Sequence, residues 1–221
     1  MTETPDPKTF FRERFPAQLN RSLAEQEQAT QMAQRALAGM RAVAATIRFD
    51  VRGEGGVTVF VNIEGGRSSA GDAPTHPPFL SIALDCSHYE PLFREAGDNV
   101  LGFLGGISGM GAPIKLTRDR VEQIAAVGGT LCFELTGEGG FQLLAKLGDA
   151  PPGDSGDSGD SGDSGDSGDR ADTTIRVDAQ AYRELREGKL EPQQAFLAGK
   201  IAVEGDMQRA MQLALAVLSP D

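Results

Sequence analysis

From Pro16 to about Ala45 the chain is rich in Ala, Leu, Gln, Glu and Arg, and Leu19, Leu23, Thr30, Ala33, Leu37, Met40 and Ala44 fall along one side. That spacing predicts a long amphipathic helix over 17–45, with Pro16 suited to its first turn and residues 1–16 as a preceding tail. The apolar side is expected to pack on a sheet; a coiled-coil partner is the other use of such a side, although Thr30 and Ala33 weaken the seam. The period then changes to two. Thr46 to Val51, a Gly-rich turn at Gly53 to Gly56, and Val57 to Ile63 predict a hairpin. A loop with Pro74, Pro77 and Pro78 leads to a third strand, Phe79 to Leu84. A short helix is predicted near Ser87 and another at Thr117 to Val127.

The second half of the chain repeats this order. TIRFDVRGEGG at Thr46 to Gly56 aligns with TLCFELTGEGG at Thr130 to Gly140, an offset of 84. Asp85, Tyr89, Leu92, Phe103, Leu104 and Gly106 match Asp178, Tyr182, Leu185, Phe196, Leu197 and Gly199 at an offset of 93. The offset changes in the loop before the third strand, where insertion is least disruptive. The chain therefore reads as two copies of one α+β unit, over 17–127 and 128–221, each a mainly antiparallel sheet covered by helices on one side. The hairpins preclude a doubly wound parallel sheet. Whether the two sheets stack or merge is left open by the pattern.

Charge modifies this picture in one place. The 221 residues carry 32 acidic and 21 basic side chains, a net charge of −11, but Gly153 to Asp169 is a GDS repeat holding six Asp. The remainder is close to balanced and has enough Leu, Ile, Val, Phe and Met for a core. The repeat predicts a disordered acidic loop over 149–171; its period of three fits no calcium-binding pattern. There is no basic stripe for nucleic-acid phosphates, and no apolar stretch long enough to span a membrane. The N-terminus shows no secretory signal, so the cytoplasm is the expected compartment. Cys86 and Cys132 lack CxxC spacing and read as small buried hydrophobes in strands; His76 and His88 are too few for a metal cluster. The glycines from Gly105 to Gly111 lack the spacing of a phosphate-binding loop and predict a turn. Asp85 and Asp178, each after a third strand, read as helix N-caps.

The most specific stretch is ADTTIRVDAQAYRELREGKLEPQQAFLAGKIAVEGDMQRAMQLALAVL, Ala171 to Leu218. Its Asp172 to Val177 strand, Gly188-Lys189-Leu190-Glu191-Pro192, Ala195-Phe196-Leu197-Ala198-Gly199-Lys200, Ile201 to Val203, and Gly205-Asp206-Met207 resemble, in order, the C-terminal half of the sterol carrier protein 2 (SCP2) sterol-binding domain family. With the hairpin at Leu131 to Leu147 and the helix at Thr117 to Val127, the resemblance covers about half the chain. The first copy is degenerate: Gly97-Asp98-Asn99 lacks the G-K-L-x-P segment, and GISGMGAPIKL replaces the G-K-strand-G-D-M run.

The resemblance implies a sheet and helices around an apolar tunnel for sterols, fatty acids, fatty acyl-CoA or phospholipids. In this chain the residues compatible with such a ligand site are Phe133, Leu135, Leu143, Ile175, Val177, Phe196, Leu197, Ile201, Val203, Met207, Met211 and Leu215. The same residues equally suit a solid core. The expected function is a non-enzymatic carrier of an acyl, sterol or isoprenoid ligand, requiring no cofactor, metal or catalytic group. The alternative is a scaffold or accessory module of a lipid-related biosynthetic complex, with helix 17–45 docking a protein partner. Lys200 is read as either a head-group contact or a solvated lysine.

Overall fold

The computed structural model describes residues 6–97, 100–101, 115–148 and 171–218. The GDS repeat, the Gly105 to Gly111 segment and most of the first copy's degenerate motif lie outside them. The fold is α+β, built on one mixed, mostly antiparallel sheet.

Helical residues begin earlier than the expected tail boundary. Pro7–Thr9 and a π-helical stretch Phe10–Arg14 lead directly into α1, Phe15–Arg41, which has Pro16 in its first turn. The expectation that α1 packs its apolar side on the sheet does not hold. Only Ala36 is buried along it, and Leu19, Leu23, Leu37 and Met40 remain exposed. Its approach to the body is at Gly39, where a Cβ would lie 3.1 Å from the Thr117 Cβ. The helix also ends sooner than expected, because Ala45 already belongs to β1.

The strands are β1 (Ala45–Arg52), β2 (Val57–Glu64), β3 (Arg67–Gly71), β4 (Pro78–Asp85), β5 (Gly129–Thr136), β6 (Phe141–Leu147), β7 (Thr173–Asp178) and β8 (Ile201–Gly205). The helices after α1 are α2 (Cys86–Ala96), α3 (Arg118–Val127), α4 (Ala179–Arg186), α5 (Pro192–Leu197) and α6 (Met207–Leu218). Cys86 thus opens a helix instead of lying in a strand. All eight strands join one sheet in the order β3-β2-β1-β4-β6-β5-β7-β8. The two predicted sheets merge, through antiparallel pairing of β4 with β6 in the register Ile82 to Ala145.

Within that sheet three strands of each half share one pairing pattern. β1 pairs antiparallel with β2 and parallel with β4; β5 pairs antiparallel with β6 and parallel with β7. The shared GEGG sequence makes the same turn in both hairpins, with the Gly56 N–H on the Gly53 carbonyl at 3.0 Å and the Gly140 N–H on the Gly137 carbonyl at 3.1 Å. Gly53 and Gly137 adopt φ of 99° and 94°, a region that side chains other than hydrogen disfavour. A Cβ at Gly56 or Gly140 would come within 2.4 Å of the Val51 or Leu135 carbonyl oxygen. Asp85 and Asp178 cap α2 and α4, accepting the Ser87 and Ala181 N–H groups.

β3 escapes the sequence pattern because RSSAG contains no apolar alternation. It is a short, mostly exposed edge strand, where backbone pairing alone defines the element. One sheet face carries Ile47, Ile82, Leu131, Phe133, Leu143, Leu147 and Val177, all buried at or below 2% exposure under α2 to α6. The other face is polar, with Arg176 bonded to Glu134 and Glu204, and Asp50 to Thr58 and Arg48. Cys132 lies under Gln142 on this face, and burial pushes its thiol pKa up.

Candidate functional site

Strands β5, β7 and β8 and the last two helices, α5 and α6, create the site. β7 lies between β5 and β8, with Ile175 opposite both Phe133 and Val203, so three apolar side chains form a row across the sheet. The chain then turns back as α6 over these strands. Gly205 makes that turn possible: it has φ of 88°, and a Cβ there would stand 2.2 Å from the Asp172 carbonyl oxygen.

Polar groups lock the joint. Asp206 accepts the Arg209 N–H at 3.1 Å, capping α6, and its carbonyl accepts the Thr173 hydroxyl at 3.1 Å. The Arg209 guanidinium lies 2.7 Å from Asp172 Oδ2, which also accepts the Thr130 N–H at 2.8 Å. Asp172-Thr173 and Gly205-Asp206 are therefore two halves of one hydrogen-bonded corner. Its work is to fix the angle of α6.

Beneath α6 a cavity of about 670 Å³ opens between α5, α6 and strands β5, β7 and β8. Phe133, Ile175, Ile201 and Val203 line it from the sheet; Pro192, Gln193, Phe196 and Leu197 from α5; and Met207, Ala210, Met211, Leu213, Ala214 and Val217 from α6. Gln193 is the one polar residue in this lining. The cavity lies within the range of about 300–1,000 Å³ typical of small-molecule sites. Its mouth is apolar as well, since Phe196, Leu197, Met207 and Met211 are 47%, 85%, 43% and 60% exposed.

Eight of the twelve residues expected at a ligand site line this cavity: Phe133, Ile175, Phe196, Leu197, Ile201, Val203, Met207 and Met211. Leu135, Leu143 and Val177 share the sheet face but are buried in the core away from the cavity. There α2 packs on β6, and α4 on β5 and β7. Leu215 points elsewhere too, lining a shallow cleft with Gln123, Ala126 and Val127 of α3. Spacing by fours explains the displacement, because each step of four advances about 40° beyond a full turn, and Leu215 is two steps from Met207. The residues missed on α6, Ala210, Leu213 and Val217, are accessible from the 3.6-residue period. Pro192 and Gln193 carried no such signal.

The cations around the site are paired. Lys200 Nζ is 3.1 Å from Glu184, and Lys189 is 2.5 Å from Glu187. Hydrogen bonds from Gln180 and Lys200 hold the Glu184 carboxyl below its ordinary pKa, and Lys189 does the same for Glu187. Lys200 is thus a solvent-exposed lysine that pairs with Glu184. It ties the end of α5 to α4.

These features define a two-layer α+β domain with an open apolar cavity beneath its last helix. Residues 114–217 match the SCP-2 sterol transfer family, and this segment of the chain is an SCP2 domain. The structure is similar to apo sterol carrier protein 2 from Yarrowia lipolytica, with 18% identity over 57% of this chain and 95% of that one and a TM-score of 0.31. It is also similar to the stereoselective inverting sec-alkylsulfatase Pisa1 from Pseudomonas sp., with 15% identity over 48% of this chain but only 17% of that one and a TM-score of 0.27. No curated protein matches the chain in sequence. Among the described residues, no helix is long and apolar enough to cross a membrane.

Proposed function

We propose that this protein is a non-enzymatic lipid carrier that holds the tail of an acyl, sterol or isoprenoid ligand beneath α6. The apolar cavity of about 670 Å³ inside the SCP2 domain is the observation that carries this reading. Burial of a tail contributes about 0.8 kcal/mol per methylene. Association opposes this by about 4–15 kcal/mol, so a tail of about sixteen carbons, worth roughly 12 kcal/mol gross, keeps micromolar affinity at best. Such affinity suits a carrier that must release its cargo. The flexible thioethers of Met207 and Met211 at the mouth can adapt to an irregular ligand.

Native mass spectrometry of gently purified protein, supported by displacement of Nile red with lipids, tests the proposal. A retained lipid mass, or saturable displacement, is expected. Protein that is empty and from which no lipid displaces the dye overturns the carrier reading.

A further inference from the structure

We infer that the N-terminal half of α1, with the turn before it, docks the chain on the surface of an anionic lipid bilayer. The segment lies outside the SCP2 domain at 114–217, and the inference does not depend on what the cavity holds.

Every residue from Phe11 to Arg35 is exposed, and α1 meets the body only near its C-terminal end, at Ala36 and Gly39. Within the exposed stretch Phe11, Phe15, Leu19 and Leu23 recur at intervals of four, at 65%, 42%, 55% and 60% exposure. Steps of four keep them on one slowly turning side of the helix. Phe10 joins the row at its start, its ring 5.1 Å from that of Phe11 and 6.4 Å from that of Phe15. The three rings touch one another and belong to no part of the core. From Leu23 to the end of α1 at Arg41 the helix runs about 27 Å, so the row is held well away from the sheet.

The charge of this stretch is opposite to that of the chain. Residues 7–23 hold Lys8, Arg12, Arg14 and Arg21 against Glu13, a net charge of +3 in a chain whose net charge is −11. Arg14 and Arg21, two turns apart, share one flank of the apolar row. A helix with this pairing lies in the membrane interface, its rings at the acyl boundary and its guanidinium groups among the lipid phosphates. A second copy of the chain fits the row less well. Gln26 and Thr30 interrupt the seam after Leu23, leaving few apolar layers for a paired helix. Pairing the two rows in either direction would also set +3 against +3. An anionic surface takes both the apolar row and the charge.

Sedimentation of the full chain with vesicles at low salt tests this, using phosphatidylcholine alone and phosphatidylcholine with about one third phosphatidylglycerol. Binding to the anionic vesicles is expected to be about tenfold or more tighter than to the neutral ones, and to weaken as salt rises. Phe11→Gln/Phe15→Gln/Leu19→Gln, all at exposed positions, should leave thermal unfolding unchanged and abolish binding to both. Arg12→Gln/Arg14→Gln/Arg21→Gln should reduce binding to anionic vesicles to the level seen with neutral ones. Failure of the unaltered chain to sediment with anionic vesicles, or equal binding to both compositions, overturns the inference. Binding retained without the apolar row does so too. A concentration-dependent dimer that is lost with the row, in a chain that binds no vesicles, overturns it in favour of a second copy.

Discussion

Glu95 at the end of α2 and Arg183 in α4 form a two-pronged ion pair between the halves of the chain, with contacts of 2.5 and 3.1 Å. Glu95 is only 4% exposed, and Arg186 donates to its backbone carbonyl. The pair joins the helical layers of two segments whose strands already share one sheet. Arg183→Met should leave a buried carboxylate without its partner and lower stability by about 2–4 kcal/mol. Glu95→Gln/Arg183→Met should recover part of that loss. Urea unfolding of the single and double variants measures both, and equal stability of Arg183→Met and the unaltered chain would contradict the assignment.

Removal of the N-terminal segment through Arg41 should leave the sheet and cavity folded. Along α1 only Ala36 is buried, whereas the core starts at Val43 and Ala45. Thermal unfolding and Nile red binding are expected to change little, since so little apolar area returns to water. If truncation abolished dye binding, α1 would have to contribute to the site. The exposed row formed by Phe11, Phe15, Leu19 and Leu23 also makes α1 the segment whose removal should change association state if any does.

Acid should weaken the Asp85 cap of α2 before neutral or mildly alkaline pH does. The side-chain and backbone donors of Ser87 hold the Asp85 carboxyl below its ordinary range, and Thr58, with Arg48 and Arg52, outweighs desolvation to lower Asp50. A carboxyl whose pKa is lower folded than unfolded stabilises the fold above its unfolded value of about 3.9. That contribution fades as pH falls below this value through the lowered one. Asp85→Asn should therefore flatten the loss of stability on acidification below about pH 4, measured by thermal unfolding across pH. A pH dependence identical to that of the unaltered chain would show that Asp85 carries none of it.

Gly205 explains why the most legible part of the sequence was also its most constrained. The G-D-M element is readable because only glycine tolerates φ of 88° with the Asp172 carbonyl so close, and Asp206 must then cap α6. The GEGG turns carry the same kind of signal, a backbone requirement expressed in residue identity. The merger of two sheets had none, because the β4–β6 pairing consists of main-chain bonds between strands that read alike whether central or edge. β3 was hidden for the related reason that an edge needs no apolar face. At the site, the strand residues nearest α6 were readable from alternation. Which of them face the void and which lie under α2 and α4 depends on helix placement, a tertiary property that separates Phe133 from Leu135 although both point the same way.

Met211 and Leu215 provide the sharpest test of where a ligand sits. Both are on α6, one turn apart, and they are 60% and 64% exposed. Only Met211 lines the cavity; Leu215 borders the cleft beside α3. A charge at either position meets water, so Met211→Glu and Leu215→Glu should both fold with little change in thermal stability. Their effects on binding should diverge. At Met211 a carboxylate must be desolvated or displaced whenever an apolar tail occupies the mouth, and dye affinity should fall by about tenfold or more. Leu215→Glu should bind as the unaltered chain does. Equal losses in both would place the ligand along the outer ridge of α6, and no loss in either would remove it from this helix.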